Sequence, residues 1–133
     1  MDQQEYVVKE IAFICKGNSF KSILAEAIFN HFNTNPEYIA VSGGTKLKER
    51  LNPYTLQMLD ERGINYQRSE LRPKLFEASQ EYIDIYSMGC EINCDNDYQK
   101  LDIPALSGQG IQRARYITDI IEDKIKKIVE ELS

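Results

Sequence analysis

Cys15 closes an apolar run, Ile11 to Ile14, and within seven residues the chain supplies Gly17, Asn18, Ser19 and Ser22. The segment 11–22 reads as a buried strand, a tight loop, and a helix whose pattern opens at Ser22. That order aims several backbone N–H groups and the positive end of a helix dipole at one point, which suits an oxyanion. The same field favours the thiolate form of Cys15, the form that acts as a nucleophile. The plainer alternative is a core cysteine ending a strand, since unpaired cysteine is often buried.

The elements that must position this thiol alternate in type. Residues 7–15 are expected to form a first strand. Ile23, Leu24, Ala27, Ile28 and Phe32 recur at helical spacing and imply about three turns of helix. Asn35-Pro36 ends that helix, and residues 38–41 read as a second strand running into Ser42-Gly43-Gly44. Asn52-Pro53 supplies an N-cap and a first helical residue, Leu56 and Leu59 lie on the face of that helix, and Gly63 stops it. Residues 69–79 are expected to form a short helix, interrupted in pattern by Pro73. Residues 82–88 and 98–103 read as a third and a fourth strand. From about Gly110 to Leu132, Ile117, Ile121, Ile125, Ile128 and Leu132 form the apolar stripe of a closing helix, whose Lys/Glu-rich remainder is a solvated face. Strands alternating with helices imply a parallel sheet covered on both faces, with ligands at the carboxyl ends of the strands. Cys15, Cys90 and Asp102, far apart in sequence, are then expected to meet above one sheet edge.

Composition narrows the function. The 133 residues suit one domain spanning 1–133. With 16 Lys+Arg against 21 Asp+Glu, the net charge of −5 argues against nucleic acid or an anionic membrane as a partner. No apolar stretch approaches a membrane span and the N-terminus has no signal-peptide core, so the expected location is the cytoplasm. Three cysteines in a reducing compartment point to thiol chemistry or to inert thiols, not to a disulfide scaffold. The single histidine, His31, lacks cysteines at ligand spacing and reads as an ordinary residue of the first helix; no metal is expected.

The run CKGNSFKSILAE resembles the phosphate-binding loop of the low-molecular-weight tyrosine phosphatases and of the thioredoxin-coupled arsenate reductases that share their fold. Similar stretches continue through VSGGT at 41–45, LNPYTLQMLDERGI at 51–64, SMGCEINC at 87–94 and the region of Asp102. The resemblance implies an α/β fold of three layers, a four-stranded parallel sheet in the order 2-1-3-4 flanked by helices. It implies that Cys15 attacks bound arsenate, that the amides of Lys16, Gly17, Asn18, Ser19, Phe20 and Lys21 bind the oxyanion, and that Asn18 holds the loop's shape. Ser22 would donate a hydrogen bond to the thiolate, and Asp102 would protonate the leaving oxygen. Cys90 would take up a disulfide with Cys15, and Cys94 would resolve it to Cys90–Cys94 for a thioredoxin-like dithiol protein, the only external reductant implied. The alternative for Cys90 and Cys94 is a pair of buried loop thiols. A monomer without resident cofactor is expected.

The chain departs from the motif twice. Lys21 stands where both families carry Arg, so the charge is kept while the planar fork that grips two oxygens is lost. Pro104 follows Asp102 only after Ile103. Besides arsenate reduction, phosphatase action on phosphotyrosine or a small phosphate ester, and oxyanion binding by an attenuated member of the family, remain open at this point.

Overall fold

A computed structural model describes residues 8–66, 71–77, 81–91, 97–106 and 110–133. The strands are β1 (Lys9–Cys15), β2 (Tyr38–Gly44), β3 (Asp84–Ser87) and β4 (Gln99–Lys100), and the helices are α1 (Lys21–Phe32), α2 (Pro53–Glu61) and α3 (Gly110–Leu132). They form one four-stranded sheet in the order β2-β1-β3-β4, and every pairing is parallel, as expected. β1, paired on both edges, is apolar on both faces: Ile11, Ala12, Phe13 and Ile14 are fully buried.

Alternate residues of β1 enter different cores. Ile11, Phe13 and Cys15 pack with the buried stripes of all three helices, including Ile23, Leu24 and Ile28 of α1, Met58 and Leu59 of α2, and Ile117, Ile121 and Ile125 of α3. Ala12 and Ile14 face the other way with Ile85, where, among the described residues, the cover is not helical but comes from Val41, Phe76, Tyr82, Cys90 and Tyr98. Phe13 also stacks on Tyr86 of β3, ring centroids 5.5 Å apart.

Local signals set most boundaries. The Asn52 side chain accepts a hydrogen bond from the Tyr54 N–H at 2.9 Å and caps α2, with Pro53 in the first turn. Gly63, at φ +65°, lets the chain leave that helix in the left-handed region. Bidentate contact between Arg115 and Glu61, at 2.8 and 3.1 Å, joins α2 to α3 at the surface. No described helix is long and apolar enough to cross a membrane.

Two expectations are corrected. The short helix expected over 69–79 is absent from 71–77, which instead runs alongside the end of β2: Gly44 N–H donates to Lys74 O at 2.7 Å and Phe76 N–H to Gly44 O at 2.9 Å. Pro73 cannot serve a helix interior, and the end of β2 offers both backbone partners that this stretch needs. The rest of 69–79 lies outside the described residues. The fourth strand, expected over 98–103, ends at Lys100; Leu101 still donates to Ser87 O at 2.8 Å, but the residues toward Pro104 leave the ladder.

Because Ile121 is fully buried in the helical core, Ile121→Ala should cost about 2–5 kcal/mol of stability, read from the midpoint of urea unfolding with an unchanged slope.

Candidate active site

Cys15 is buried at the carboxyl end of β1, and five residues separate it from the first residue of α1. What shapes this loop is the way its carbonyls are tied down. Thr45 N–H donates to Cys15 O at 3.3 Å, Lys46 N–H to Lys16 O at 2.8 Å, Lys48 N–H to Gly17 O at 3.1 Å and Asn52 N–H to Ser19 O at 3.0 Å. The Thr55 hydroxyl adds a bond of 2.6 Å to Ser19 O. In a trans peptide the C=O of one residue and the N–H of the next point in opposite directions. Fixing those carbonyls on the 45–55 side therefore turns the N–H groups of Lys16, Gly17, Asn18 and Phe20 to the opposite side. The Asn18 N–H shows where that side leads, for it donates to Cys15 Sγ at 3.3 Å.

The close approach fixes the residue at position 44. A Cβ there would lie 2.8 Å from Lys16 O and 2.9 Å from Asn18 Cβ, so only glycine lets the loop fold over the end of β2. Asn18 itself takes φ +48°, a value asparagine tolerates better than most residues. Phe20 is buried in the core and offers the loop only its backbone. No side chain caps the α1 N-terminus, whereas Asn52 caps α2, so the first turn of α1 is left to receive an anion.

The donors and acceptors around the sulfur can be assigned in sequence. Lys74 N–H, which can only donate, reaches Asn18 Oδ1 at 2.6 Å. Asn18 Nδ2 must then be the donor toward Ser22 Oγ at 2.7 Å. The hydroxyl accepts that bond, so its own proton is free for Cys15 Sγ, 2.9 Å away. Cys15 thus receives two hydrogen bonds, from the Asn18 amide and the Ser22 hydroxyl, and the second is oriented from the 71–77 segment.

One turn beyond Ser22, the Glu26 carboxylate accepts from Ser42 Oγ at 3.0 Å and lies 3.4 Å from Lys74 Nζ. Burial pushes the Glu26 carboxyl above its ordinary 4.5, opposed by attraction to Lys74 and the bond from Ser42. Lys74 is therefore held twice, by its side chain at Glu26 and by its amide at Asn18.

Ser19 is half-buried, Lys16 exposed, and Lys21, the first residue of α1, half-buried without an ion-pair partner among the described residues. Cys90 lies on the turn after β3. The fully buried Ser87 hydroxyl accepts from Cys90 N–H at 3.0 Å, bonds the Cys90 carbonyl, and lies 3.6 Å from Cys90 Sγ. That thiol approaches the carbonyl of Ile14, the residue before Cys15, at 4.0 Å. Both Cys15 and Cys90 are free thiols. Asp102 is exposed past β4, and among the described residues no hydrogen bond or ion pair joins it to Cys15 or the loop. Cys94, and with it the Cys90–Cys94 pairing, lies outside the described residues.

Sequence reasoning missed Lys74, Glu26, Ser42, Thr55 and Ser87. Only Glu26 left a signal, as a lone acid on the otherwise apolar SILAEAIF face of α1.

Residues 10–85 match the family model described as low molecular weight phosphotyrosine protein phosphatase. The chain is 22% identical over 133 residues to the glutaredoxin arsenate reductase of Synechocystis sp. (strain ATCC 27184 / PCC 6803 / Kazusa), covering 95% of this chain and all of that one. A solved arsenate reductase in the phosphate-binding state superposes with a TM-score of 0.79 at 21% identity, covering 95% of this chain and 100% of the other. The low-molecular-weight protein tyrosine phosphatase of T. tengcongensis gives 0.75 at 19% identity, over 92% and 99% of the two chains. At such identities the superpositions establish the shared fold.

Asn18→Asp keeps the acceptor for Lys74 N–H and the tolerance of positive φ but cannot donate to Ser22. It should weaken binding of inorganic phosphate by about tenfold or more and slow alkylation of Cys15, read by calorimetry and peptide mapping. Folding favours protonation of Glu26 relative to the unfolded chain, so its contribution is present below the ordinary carboxyl value of 4.5 and is lost as pH rises through the raised one. Glu26→Gln should therefore gain stability relative to the native chain as pH rises from 4 to 8, a trend that paired urea titrations would register.

Proposed function

The chain belongs to the low-molecular-weight phosphotyrosine protein phosphatase family, and from that premise we propose that it is a thiol-dependent arsenate reductase. The observation that carries the reading is the second thiol: Cys90 is held by Ser87 with its sulfur 4.0 Å from the carbonyl of the residue preceding Cys15. Ester hydrolysis requires one thiol, whereas reduction of an oxyanion requires a second to accept the oxidised sulfur.

The reaction in this reading uses Cys15, Asp102, Cys90 and Cys94 in turn. Arsenate sits on the N–H groups of residues 16–21 at the uncapped end of α1. Cys15 attacks arsenic, and an oxygen leaves as water after protonation, the task of Asp102. Cys90 thiolate then attacks Cys15 sulfur. The sulfur–arsenic electron pair passes to arsenic, arsenite departs, and a Cys15–Cys90 disulfide remains, two electrons having moved from two thiols to As(V). Cys94 attacks Cys90 to release Cys15, and the Cys90–Cys94 disulfide is reduced by an external thioredoxin-like dithiol protein. No resident cofactor is required. The protein works as a single-domain monomer in the cytoplasm.

A second reading, hydrolysis of a phosphate monoester, is favoured by the family itself and needs Cys15 and an acid but neither Cys90 nor Cys94. Lys21 bears on both. An ammonium supplies charge to the bound oxyanion but not the planar fork that would follow its oxygens to the transition state, and equal binding of the two states does not raise turnover. Loss of activity with retained anion binding is what an attenuated member of the family would show.

Arsenate turnover coupled to a thioredoxin system, run beside hydrolysis of an aryl phosphate, tests the assignment. Cys90→Ser should abolish arsenate reduction while leaving phosphate binding intact; reduction that persists in the Cys90→Ser, Cys94→Ser protein would overturn the three-thiol route. Lys21→Arg should raise turnover more than it tightens binding, by about 1–3 kcal/mol of barrier, whereas Lys21→Ala should weaken anion binding.

A further inference from the structure

Beside the anion loop lies a cleft of about 340 Å³ lined by Lys16, Gly17, Lys46, Leu47 and Lys48. Its two walls are bonded to one another, since Lys46 and Lys48 donate their amides to Lys16 and Gly17. A Cβ on residue 17 would meet Lys48 Cγ at 2.7 Å, so the Lys48 stem folds directly over the loop. Lys16, Lys46 and Lys48 are exposed, and none forms an ion pair or a side-chain hydrogen bond among the described residues. Elsewhere Arg62, Lys74, Lys100, Arg115 and Lys126 are matched to carboxylates. Within residues 44–52 the one acid is Glu49. In a chain of net charge −5, Lys46, Lys48 and Arg50 thus set three cations against one acid on the segment that shapes the reactive loop.

We propose that this cleft is a subsite for a second anionic group, so that the organic ligand the site prefers is a small phosphomonoester bearing a further anion on its scaffold. The inference rests on the reading of residues 15–22 as an oxyanion site and extends it beyond arsenate or phosphate alone. A bare oxyanion occupies the amides next to Cys15 and leaves the three ammonium groups unmet. An ester held there would reach the cleft by passing its scaffold over the rim of the loop at Lys16 and Gly17. Leu47, 41% exposed, gives that scaffold an apolar wall, and the ammonium groups around it attract the second anion.

Calorimetry on the Cys15→Ser protein, which holds esters without turnover, tests this with inorganic phosphate, phenyl phosphate and 3-carboxyphenyl phosphate. At low ionic strength the carboxylated ester should bind about three- to tenfold more tightly than phenyl phosphate. In a Lys46→Ala, Lys48→Ala background that ratio should fall toward one, while the affinity for inorganic phosphate changes far less. Equal affinities for the two esters in the Cys15→Ser protein, or a ratio that survives the double lysine change, would overturn the subsite. Phosphate that binds without any gain from the carboxylate removes the subsite alone. Failure of phosphate itself to bind removes the oxyanion reading with it.

Discussion

Everything at the reactive end of this protein depends on which way the peptide planes of residues 15–20 face. A loop of this length, taken alone, could turn its amides toward or away from the sulfur at little difference in energy. The bonds to Cys15, Lys16, Gly17 and Ser19 carbonyls settle the choice, because each acceptor fixed outward commits the next N–H inward. Those donors come from residues 45–55, so the end of β2, the following segment and the start of α2 act together as the mould in which the loop is cast. The absence of a side chain at Gly44 is part of that mould, for the loop lies against it. Preorganisation of this kind is what makes oxyanion stabilisation effective, since no donor has to reorient during the reaction.

The other side of the sulfur is governed by satisfaction of buried polar groups. Asn18, Ser22 and Ser42 are all buried, and an unmatched donor or acceptor at any of them would cost about 1–3 kcal/mol. The chain Lys74 N–H, Asn18 amide, Ser22 hydroxyl, Cys15 sulfur leaves none of its members unmatched and gives each a single direction. Its direction originates in the 71–77 segment, whose register is set by pairing with Gly44 and whose lysine is held at Glu26. Glu26 is shielded from water enough for its carboxyl to be raised, so the contact that steadies the segment is also sensitive to pH.

This division explains what could be read from the residues beforehand. Strand β1, the Asn52-Pro53 start and Gly63 stop of α2, and the isoleucine stripe of α3 are written in local patterns, and they appear as expected. So does the placement of Cys15 between a buried strand and a helix. The strand order followed from the resemblance carried by CKGNSFKS and the stretches after it, not from periodicity. The extended run of 71–77 was not legible because its partner, the backbone of Gly44, lies some thirty residues away and any residue type could have provided it. Lys74 escaped notice for the same reason: the atom that matters is its amide, which every residue but proline carries. Ser87 grips Cys90 through a hydroxyl that reads in sequence as an ordinary strand residue. β4 was overestimated because Tyr98 to Ile103 has strand composition, but only two of its residues find a ladder.

Charge operates here on two length scales. At physiological ionic strength, fields between exposed groups decay over about 8 Å. A polyanion such as nucleic acid spans many such lengths and meets the whole surface, where the net charge of −5 opposes it. An oxyanion or a small ester fits within a single screening length and responds to what lies immediately around the loop. Within residues 15–21 and 44–52 the chain presents Lys16, Lys21, Lys46, Lys48 and Arg50 against Glu49. The acidic composition and the basic rim are therefore compatible: the first opposes large anions over the whole surface, and the second lies close to backbone donors that converge on Cys15.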